Sequence, residues 1–542
     1  MPLRSDANPH QQGFGHRSFG WWLVVAAATV IAAIARRLTP GDGDFWRDEA
    51  LFIFVSRITP TGELLRYLHQ HESHPPLYYL MMRAWTAVAG TGDAALRALP
   101  LILGVLLVPL VAWIGARAFG SVAGLVAAIL VAVHPNLAYH SAQVRPYAAL
   151  VLPALVSTYA LWRLVETRRW STVAVYVVAT LAMLYLHHWS WVLLAAQGLA
   201  LVIVAWLGAP VRDWAPRAGI AWAAVGLGYV PLVPTFLRHA RVAGHPGEEL
   251  GPLDALARFS DVTVGQLENR LGVAVLLLAA GAMLMRRGGR SHGGDRRLRA
   301  YALLGLVPPL AVGIALSLSG SSSLMVPHTL TTLIPFVAMG LGAAIAALLE
   351  DRRFVECALL IGLLATALLY DFGRLQRTGK TNAGMLAEAL EGEARPTDVV
   401  VMAPDLYAPS FNYYFDPRFR QVDYPSGGRR EVVHFDDYYQ RIADTATLAA
   451  LEDSIRAFER RGSRVWFVSN AATFSDTAPL PDRLPPVNSP QENTASYIRG
   501  RQVERMIRGI YGRPDSLIVP GRETPLLEAL GAERFEPDTE GR

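Results

Sequence analysis

The chain has 542 residues, 52% hydrophobic and only 18% charged, with a formal net charge of +5 and a pI near 9.3. Soluble globular proteins carry about 25% charged residues, so this composition excludes an ordinary soluble enzyme and points to a polytopic membrane protein. The basic balance does not imply nucleic acid: the arginines collect at the ends of apolar runs, and the one cysteine, Cys357, lies inside such a run and forms no internal disulfide.

In chain order, residues 1–18 read as a cytoplasmic tail and Phe19 to Ala35 as a first membrane span. The small residues Ala32-Ala33-Ile34-Ala35 would suit a cleaved signal peptide, but Trp21 and Trp22 sit where an interfacial belt belongs, so the span is read as uncleaved. An outer loop, 36–95, follows. Within it, Ala50 to Ile58 and Gly62 to His71 predict short helices lying near the membrane plane. Pro75-Pro76 opens a further helix, Leu77 to Val88, marginal in length for a span. If that helix does not cross, nearly every arginine cluster falls on one side: at Arg117, at Arg163, Arg168 and Arg169, at Arg212 and Arg217, in the loop from Arg286 to Arg299, and at Arg352 and Arg353. The positive-inside bias then gives about eleven spans in residues 19–370, with the N-terminus inside and the C-terminus outside. From Asp371 the composition turns mixed and no run could span. Asp398 to Met402 and Arg464 to Ser469 predict strands, Thr447 to Arg461 and Thr494 to Tyr511 amphipathic helices. Residues 371–542 are thus expected to form a small extracytoplasmic α/β domain, with a loosely held tail after about Pro514.

Two of the three chemistry-bearing stretches lie between the first two spans. Asp44-Phe-Trp-Arg-Asp48-Glu49-Ala50 places two acids side by side at a membrane edge, where ionisable groups are costly to keep. His74-Pro75-Pro76-Leu77-Tyr78-Tyr79 follows, and Ser141-Ala142-Gln143-Val144-Arg145-Pro146-Tyr147 ends an outward span. These motifs in this order, together with Arg97-Ala98-Leu99-Pro100, resemble the dolichyl-phosphate-mannose–protein mannosyltransferases and their bacterial relatives, the aminoarabinose transferases, all of GT-C type. The resemblance covers roughly residues 20 to 375. One departure is His328, in Pro327-His328-Thr329-Leu330, where many relatives have Pro-Arg-Tyr-Leu.

The resemblance implies transfer of a sugar from a polyprenyl-phosphate donor to a glycan, lipid or protein acceptor, with inversion, at the outer face of the plasma (inner) membrane. Such a displacement needs a base for the incoming hydroxyl and a cation for the departing phosphate. Asp48 matches the first acid of the family's pair and is the expected base. Glu49 is either its helper or the structural partner of a nearby arginine such as Arg47. Arg145 offers a planar fork suited to phosphate, although interfacial arginines also simply snorkel. His74, Tyr78, Arg97, Tyr147, His188 and His328 complete the expected substrate-binding set. His187 and His188 end an outward run and more often serve no more than hydration there, while aromatic-belt packing is the commoner use of Tyr78 and Tyr147. A divalent cation held by Asp48, Glu49 and His74 is left open as a cofactor. A transporter or lipid flippase is the competing reading, but such a protein would more naturally show paired halves and intramembrane charges, and this chain shows no internal repeat and few charges in mid-span. A non-catalytic glycan-binding subunit is a third, opposed by the grouping of Asp48, Glu49 and Arg145. On topology alone, Asp48, His74 and Arg145 are expected to meet at the outer membrane surface, roofed partly by the domain after Asp371.

Overall fold

The computed structural model of the protein describes residues 18–39, 43–72, 74–206, 210–242, 252–265, 272–273, 275–276, 327–377, 379–434, 437–475, 478–481, 484–485, 492–521 and 526–537. The basic loop at 286–299, the serines of 319–323 and the expected spans beginning at Leu271 and Tyr301 lie wholly or mostly outside the described residues.

The N-terminal part is a helical bundle. Helix α1 (Phe19–Leu38) starts at Ser18, whose hydroxyl accepts the Trp21 N–H at 3.3 Å. Then come α2 (Arg47–Ser56), α3 (Thr61–His71), α4 (Leu77–Ala89), α5 (Asp93–Phe119), α6 (Ser121–Val133), α7 (Pro135–Ser141), α8 (Tyr147–Thr167), α9 (Trp170–Leu186), α10 (Ser190–Trp206), α11 (Val211–Tyr229), α12 (Val233–Val242) and α13 (Pro252–Thr263). After the undescribed stretch follow α14 (Pro327–Leu330), α15 (Ile334–Glu350) and α16 (Phe354–Gln376). Six stretches among the described residues are long and apolar enough to cross a membrane; α6 with α7, bent by 56°, makes a seventh, and α9 and α10 are shorter apolar helices. At 13 residues, α4 is not among these spans, in keeping with the arginine register.

The bend between α6 and α7 has a cause in sequence. Pro135 has no N–H, so the Val131 carbonyl loses its helical partner. Arg36, at the end of α1 and 1% exposed, supplies one, donating to Val131 O at 3.4 Å and Ala132 O at 3.0 Å. A buried cation thus satisfies the backbone of a broken helix, the condition for non-helical backbone at membrane depth. Small residues bring helices close: a Cβ at Gly124 would collide with the Ala112 carbonyl of α5, and one at Gly342 with the Ala123 carbonyl of α6. Ser157, Tyr176, Thr180 and Gln197 tie α8, α9 and α10 in one hydrogen-bonded group, with Gln197 Nε2 donating to Ser157 Oγ at 3.0 Å and Tyr176 to Gln197 Oε1 at 2.9 Å.

The C-terminal part is α/β. Strands β1 (Gly379–Thr381), β2 (Val399–Met402), β3 (Arg420–Asp423), β4 (Val465–Asn470), β5 (Ser516–Ile518), β6 (Leu526–Glu528) and β7 (Leu530–Phe535) alternate with α17 (Ala383–Glu393), α18 (Ala408–Tyr414), α19 (Tyr438–Ala443), α20 (Thr445–Arg460), α21 (Ala471–Ser475) and α22 (Glu492–Tyr511). The main sheet runs β3-β2-β4-β7-β5, parallel over β3, β2 and β4, antiparallel thereafter. The apolar runs Val399–Met402 and Val465–Val468 are buried on both faces, as expected of parallel strands covered by helices. The tail after Pro514 is not loose: β5 and β7 extend the sheet, with β7 between β4 and β5 and Leu530, Ala532 and Phe535 fully buried. Its alternating residues are too few per strand to stand out from a polar tail. In β1 and β6 the chain adds a second, two-stranded parallel ribbon.

The two parts meet around residues 44–56. Asp44 accepts the Gly384 N–H at the start of α17 at 2.6 Å, Phe45 donates its N–H to the Tyr414 hydroxyl at 2.7 Å, and Tyr413 bonds to Asp93 at 2.9 Å. Covered by α18, α2 is not a surface helix in the membrane plane. Seven of its ten residues are buried, which explains a sequence apolar on every side.

Candidate active site

Asp48 lies in the first turn of α2, where unpaired backbone N–H groups favour a carboxylate. Its Oδ1 accepts from Arg47 Nε at 3.1 Å and its Oδ2 lies 3.7 Å from Arg145 Nη2. Burial alone would raise the Asp48 pKa, but the Arg145 and Arg47 guanidiniums outweigh it and hold the carboxyl below its ordinary value. Asp48 is therefore an anion at neutral pH, with its side chain 26% exposed.

Arg145 follows a tight turn after α7, one residue before Pro146 starts α8. Its fork is pinned on several sides: Nη1 donates to the Asp48 carbonyl at 3.3 Å, Nη2 to the Tyr147 hydroxyl at 3.1 Å, and Nη2 lies 3.4 Å from His74 Nε2. His74 Nδ1 lies 3.1 Å from Glu72 Oε1. A carboxylate on one ring nitrogen and a guanidinium on the other select the tautomer with hydrogen on Nδ1. His187 packs its ring 5.3 Å from His74, and the His328 ring sits 4.6 Å from Tyr147. Burial, then the neighbouring His74 and His328, push the His187 imidazole well below its ordinary pKa. The cluster thus sets the Asp48 carboxylate between the Arg47 and Arg145 guanidiniums, with Glu72 behind His74 and a wall of rings beside them.

The structure brings Asp48, His74, Arg145, Tyr147 and His328 together. It places four other named residues differently. Glu49 is fully buried and turned away from Asp48; its carboxylate meets Lys380 Nζ at 3.1 Å and accepts the Val144 N–H at 2.8 Å, so its cation is Lys380 and not Arg47. Tyr78 is fully buried against Phe52, ring centroids 5.0 Å apart. Arg97 stacks over Phe45 at 4.0 Å and donates to the Gly43 carbonyl at 2.5 Å, outside the cluster. His188 packs on Phe236 at 5.5 Å beside Tyr229, while its neighbour His187 enters the site. Helix α9 ends at Leu186 and His187 is extended, with φ −158° and ψ 137°, which sends consecutive rings to opposite sides. Among the described residues, no group of three or more His, Cys, Asp or Glu could hold a metal ion, and Asp48, Glu49 and His74 do not form one. The sequence reading missed Glu72, His187 as distinct from His188, and Lys380. Glu72 alone left a signal, an acid two residues before His74.

Known proteins share this arrangement of elements. Residues 73–233 match the sequence model of the dolichyl-phosphate-mannose-protein mannosyltransferase family, a stretch that contains His74, Arg145, Tyr147 and His187. No curated protein sequence gives a match. Among solved structures, the fold is similar to ArnT from Cupriavidus metallidurans bound to undecaprenyl phosphate, with TM-score 0.56 and 12% identity over 95% of this chain and 98% of that one. The chain shares the fold of this membrane protein. Two further solved structures share the fold. The apo form of the same ArnT gives TM-score 0.52 at 14% identity, covering 84% of this chain and 94% of that one. The oligosaccharyltransferase AglB from Archaeoglobus fulgidus, in complex with an inhibitory peptide and a dolichol-phosphate, gives 0.51 at 12% identity, covering 83% and 69%. In the present chain the Asp48–Arg145 cluster sits where the helical bundle meets the α/β domain. The arginine-rich turns at 117, 168–169 and 352–353 lie at the other ends of α5, α8 and α15.

Proposed function

We propose that this protein transfers a sugar from a polyprenyl-phosphate donor to an acceptor hydroxyl at the outer face of the plasma membrane. The observation that carries the reading is a carboxylate and a guanidinium 3.7 Å apart, one partly open and one held by three neighbours. The GT-C fold supports it, as does the lipid phosphate bound in the similar ArnT and AglB structures.

In this reading the carrier phosphate lies on the Arg145 fork, which can bind two of its oxygens. Its chain stays among the helices and the sugar projects towards the α/β domain. Asp48 takes the proton of the acceptor hydroxyl as that oxygen bonds to the anomeric carbon. The bond from that carbon to the phosphate oxygen breaks, and its electron pair leaves on the carrier phosphate. A single displacement inverts the configuration. Tyr147 and His74 steer the guanidinium and supply hydrogen bonds beside it. Donor phosphate also draws Arg145 away from Asp48, which raises the basicity of the carboxylate at the moment a base is needed. The orientation follows from the charge pattern: arginine-rich turns inside, site and α/β domain outside.

The test is transfer from a panel of labelled polyprenyl-phosphate sugars by the purified protein, with and without a chelator, and with product anomers assigned by NMR. Transfer with inversion supports the reading. Transport of intact lipid-linked sugar in proteoliposomes, with no transfer to any acceptor, would replace it.

A further inference from the structure

Lys380 of the α/β domain reaches both segments that carry the site. Lys380 is the middle residue of β1, which begins just after the last spanning helix, and it is 3% exposed. Its Nζ donates to Glu49 Oε2 at 3.1 Å, Glu49 Oε1 at 3.3 Å and the Ala142 carbonyl at 3.2 Å. Glu49 Oε1 in turn accepts the Val144 N–H at 2.8 Å. These bonds close a ring through three segments: α2, the turn at 142–144, and β1. Asp48 precedes one member of the ring and Arg145 follows another. Beside it, β1 pairs with β6, and Glu528 of β6 accepts the Arg47 N–H at 3.3 Å and the Thr381 hydroxyl at 3.3 Å. The ribbon therefore grips residues 47 and 49 and leaves residue 48 between them open.

We propose that Lys380 is a positioning residue for the transfer reaction: through Glu49 it locks α2 to the 142–144 turn and so fixes the Asp48 carboxylate against the Arg145 guanidinium. The inference rests on the glycosyl-transfer reading for its consequence in turnover, but its physical content is independent of it. A pair that only docked the two parts would need neither the bond to the Ala142 carbonyl nor the bond from Val144. Both tie the pair to the segment that carries Arg145. A buried pair can be stripped of charge on both sides with less harm than on one, and this gives the decisive variant.

The experiment compares wild type, Lys380→Met and the double variant Glu49→Gln/Lys380→Met, each as the full chain. Two quantities are read: hydrogen exchange of the peptide covering 142–146, and kcat and KM for the lipid-linked donor. In the double variant no charge is left buried, and the amide oxygen introduced at position 49 can still accept from Val144, so folding is preserved. The expected result is exchange at 142–146 raised at least about tenfold, with the peptides of α8 to α10 unchanged. Turnover falls about a hundredfold, the scale of a 1 Å misplacement, with the loss mainly in kcat. Wild-type exchange and kcat in the double variant would overturn the proposal, leaving the pair as one that merely neutralises itself. Uniform loosening of every peptide would overturn it too, in favour of general docking. If wild type transfers no sugar, the transfer reading fails, while the exchange arm still decides whether Lys380 fixes the turn.

Discussion

At the start of α2 two neighbouring acids each pair with a cation distant in sequence, and Asp48 also meets its neighbour Arg47 at 3.1 Å. Asp48 faces Arg145 at 3.7 Å and its side chain is 26% exposed; Glu49 faces Lys380 at 3.1 Å with neither side chain above 2%. The second pair has its hydrogen bonds filled by the Val144 N–H and the Ala142 carbonyl. The first keeps one face towards water, and its cation otherwise touches a carbonyl, a hydroxyl and an imidazole ring. A closed pair has nothing left to offer a substrate. An open pair with a rigid cation can exchange its carboxylate partner for a phosphate. The difference suggests that the acidic doublet divides its labour, with Asp48 for chemistry and Glu49 for architecture.

The sharpest way to break this comparison is Asp48→Asn. It keeps size and removes the base, so turnover should fall by about 10²–10⁴-fold, the usual contribution of a positioned base. Unchanged turnover, measured with labelled donor, would dissolve the distinction between the two acids. Next in size is Arg145→Ala, expected to lower kcat about 10²–10³-fold, as removal of a preorganised charge-stabilising donor does. Arg145→Lys should recover only part of that, since a point charge does not replace the fork. Full recovery by lysine would mean that charge, not geometry, is what the site uses.

A smaller effect separates the closed side by pH. Burial raises the Glu528 pKa from the ordinary 4.5 to about 7, against the pull of Arg47. Glu533 and Asp423 are likewise pushed up to about 7, mainly by burial. For these groups the folded state binds protons more tightly than the unfolded chain, so stability falls as pH rises from about 4.5 towards 7. Asp48 has the opposite sign: its lowered pKa adds stability above the ordinary carboxylate value, lost only as pH falls below it. Buried His187, with its lowered pKa, carries the opposite sign in the same window, so the effect is read as a difference: Glu528→Gln should gain thermal stability relative to wild type as pH rises from about 4.5 to 7. An unchanged slope in Glu528→Gln would show that Glu528 is not among the groups whose stabilisation is lost over this range.

Much of this was legible in the sequence. Nine of the eleven expected spans correspond to helices among the described residues, because apolar length and arginine placement are local signals. The meeting of Asp48, His74 and Arg145 was legible for a related reason. Each sits at the same end of a span or of a loop between spans, so membrane depth stands in for a third coordinate. Beyond the spans, apolar patterns still marked β2, β4, α20 and α22, but not which residues of that domain reach the site. Lys380 is 331 residues from Glu49 and lies in a three-residue strand that periodicity cannot detect. The choice between His187 and His188 depended on the backbone at one helix end. Arg97, which begins a span outside, fitted either a phosphate contact or a helix anchor, and the aromatic face of Phe45 takes its guanidinium.

The most direct test of the central claim is the binding of a sugar-free polyprenyl phosphate, measured for wild type, Arg145→Ala and Asp48→Asn. If Asp48 and the carrier phosphate compete for one guanidinium, Arg145→Ala should weaken binding at least about tenfold, the loss of about 1.4 kcal/mol. Asp48→Asn should bind as tightly as wild type or more tightly, even while its turnover collapses. Weaker binding in Asp48→Asn, or wild-type binding in Arg145→Ala, would contradict the account.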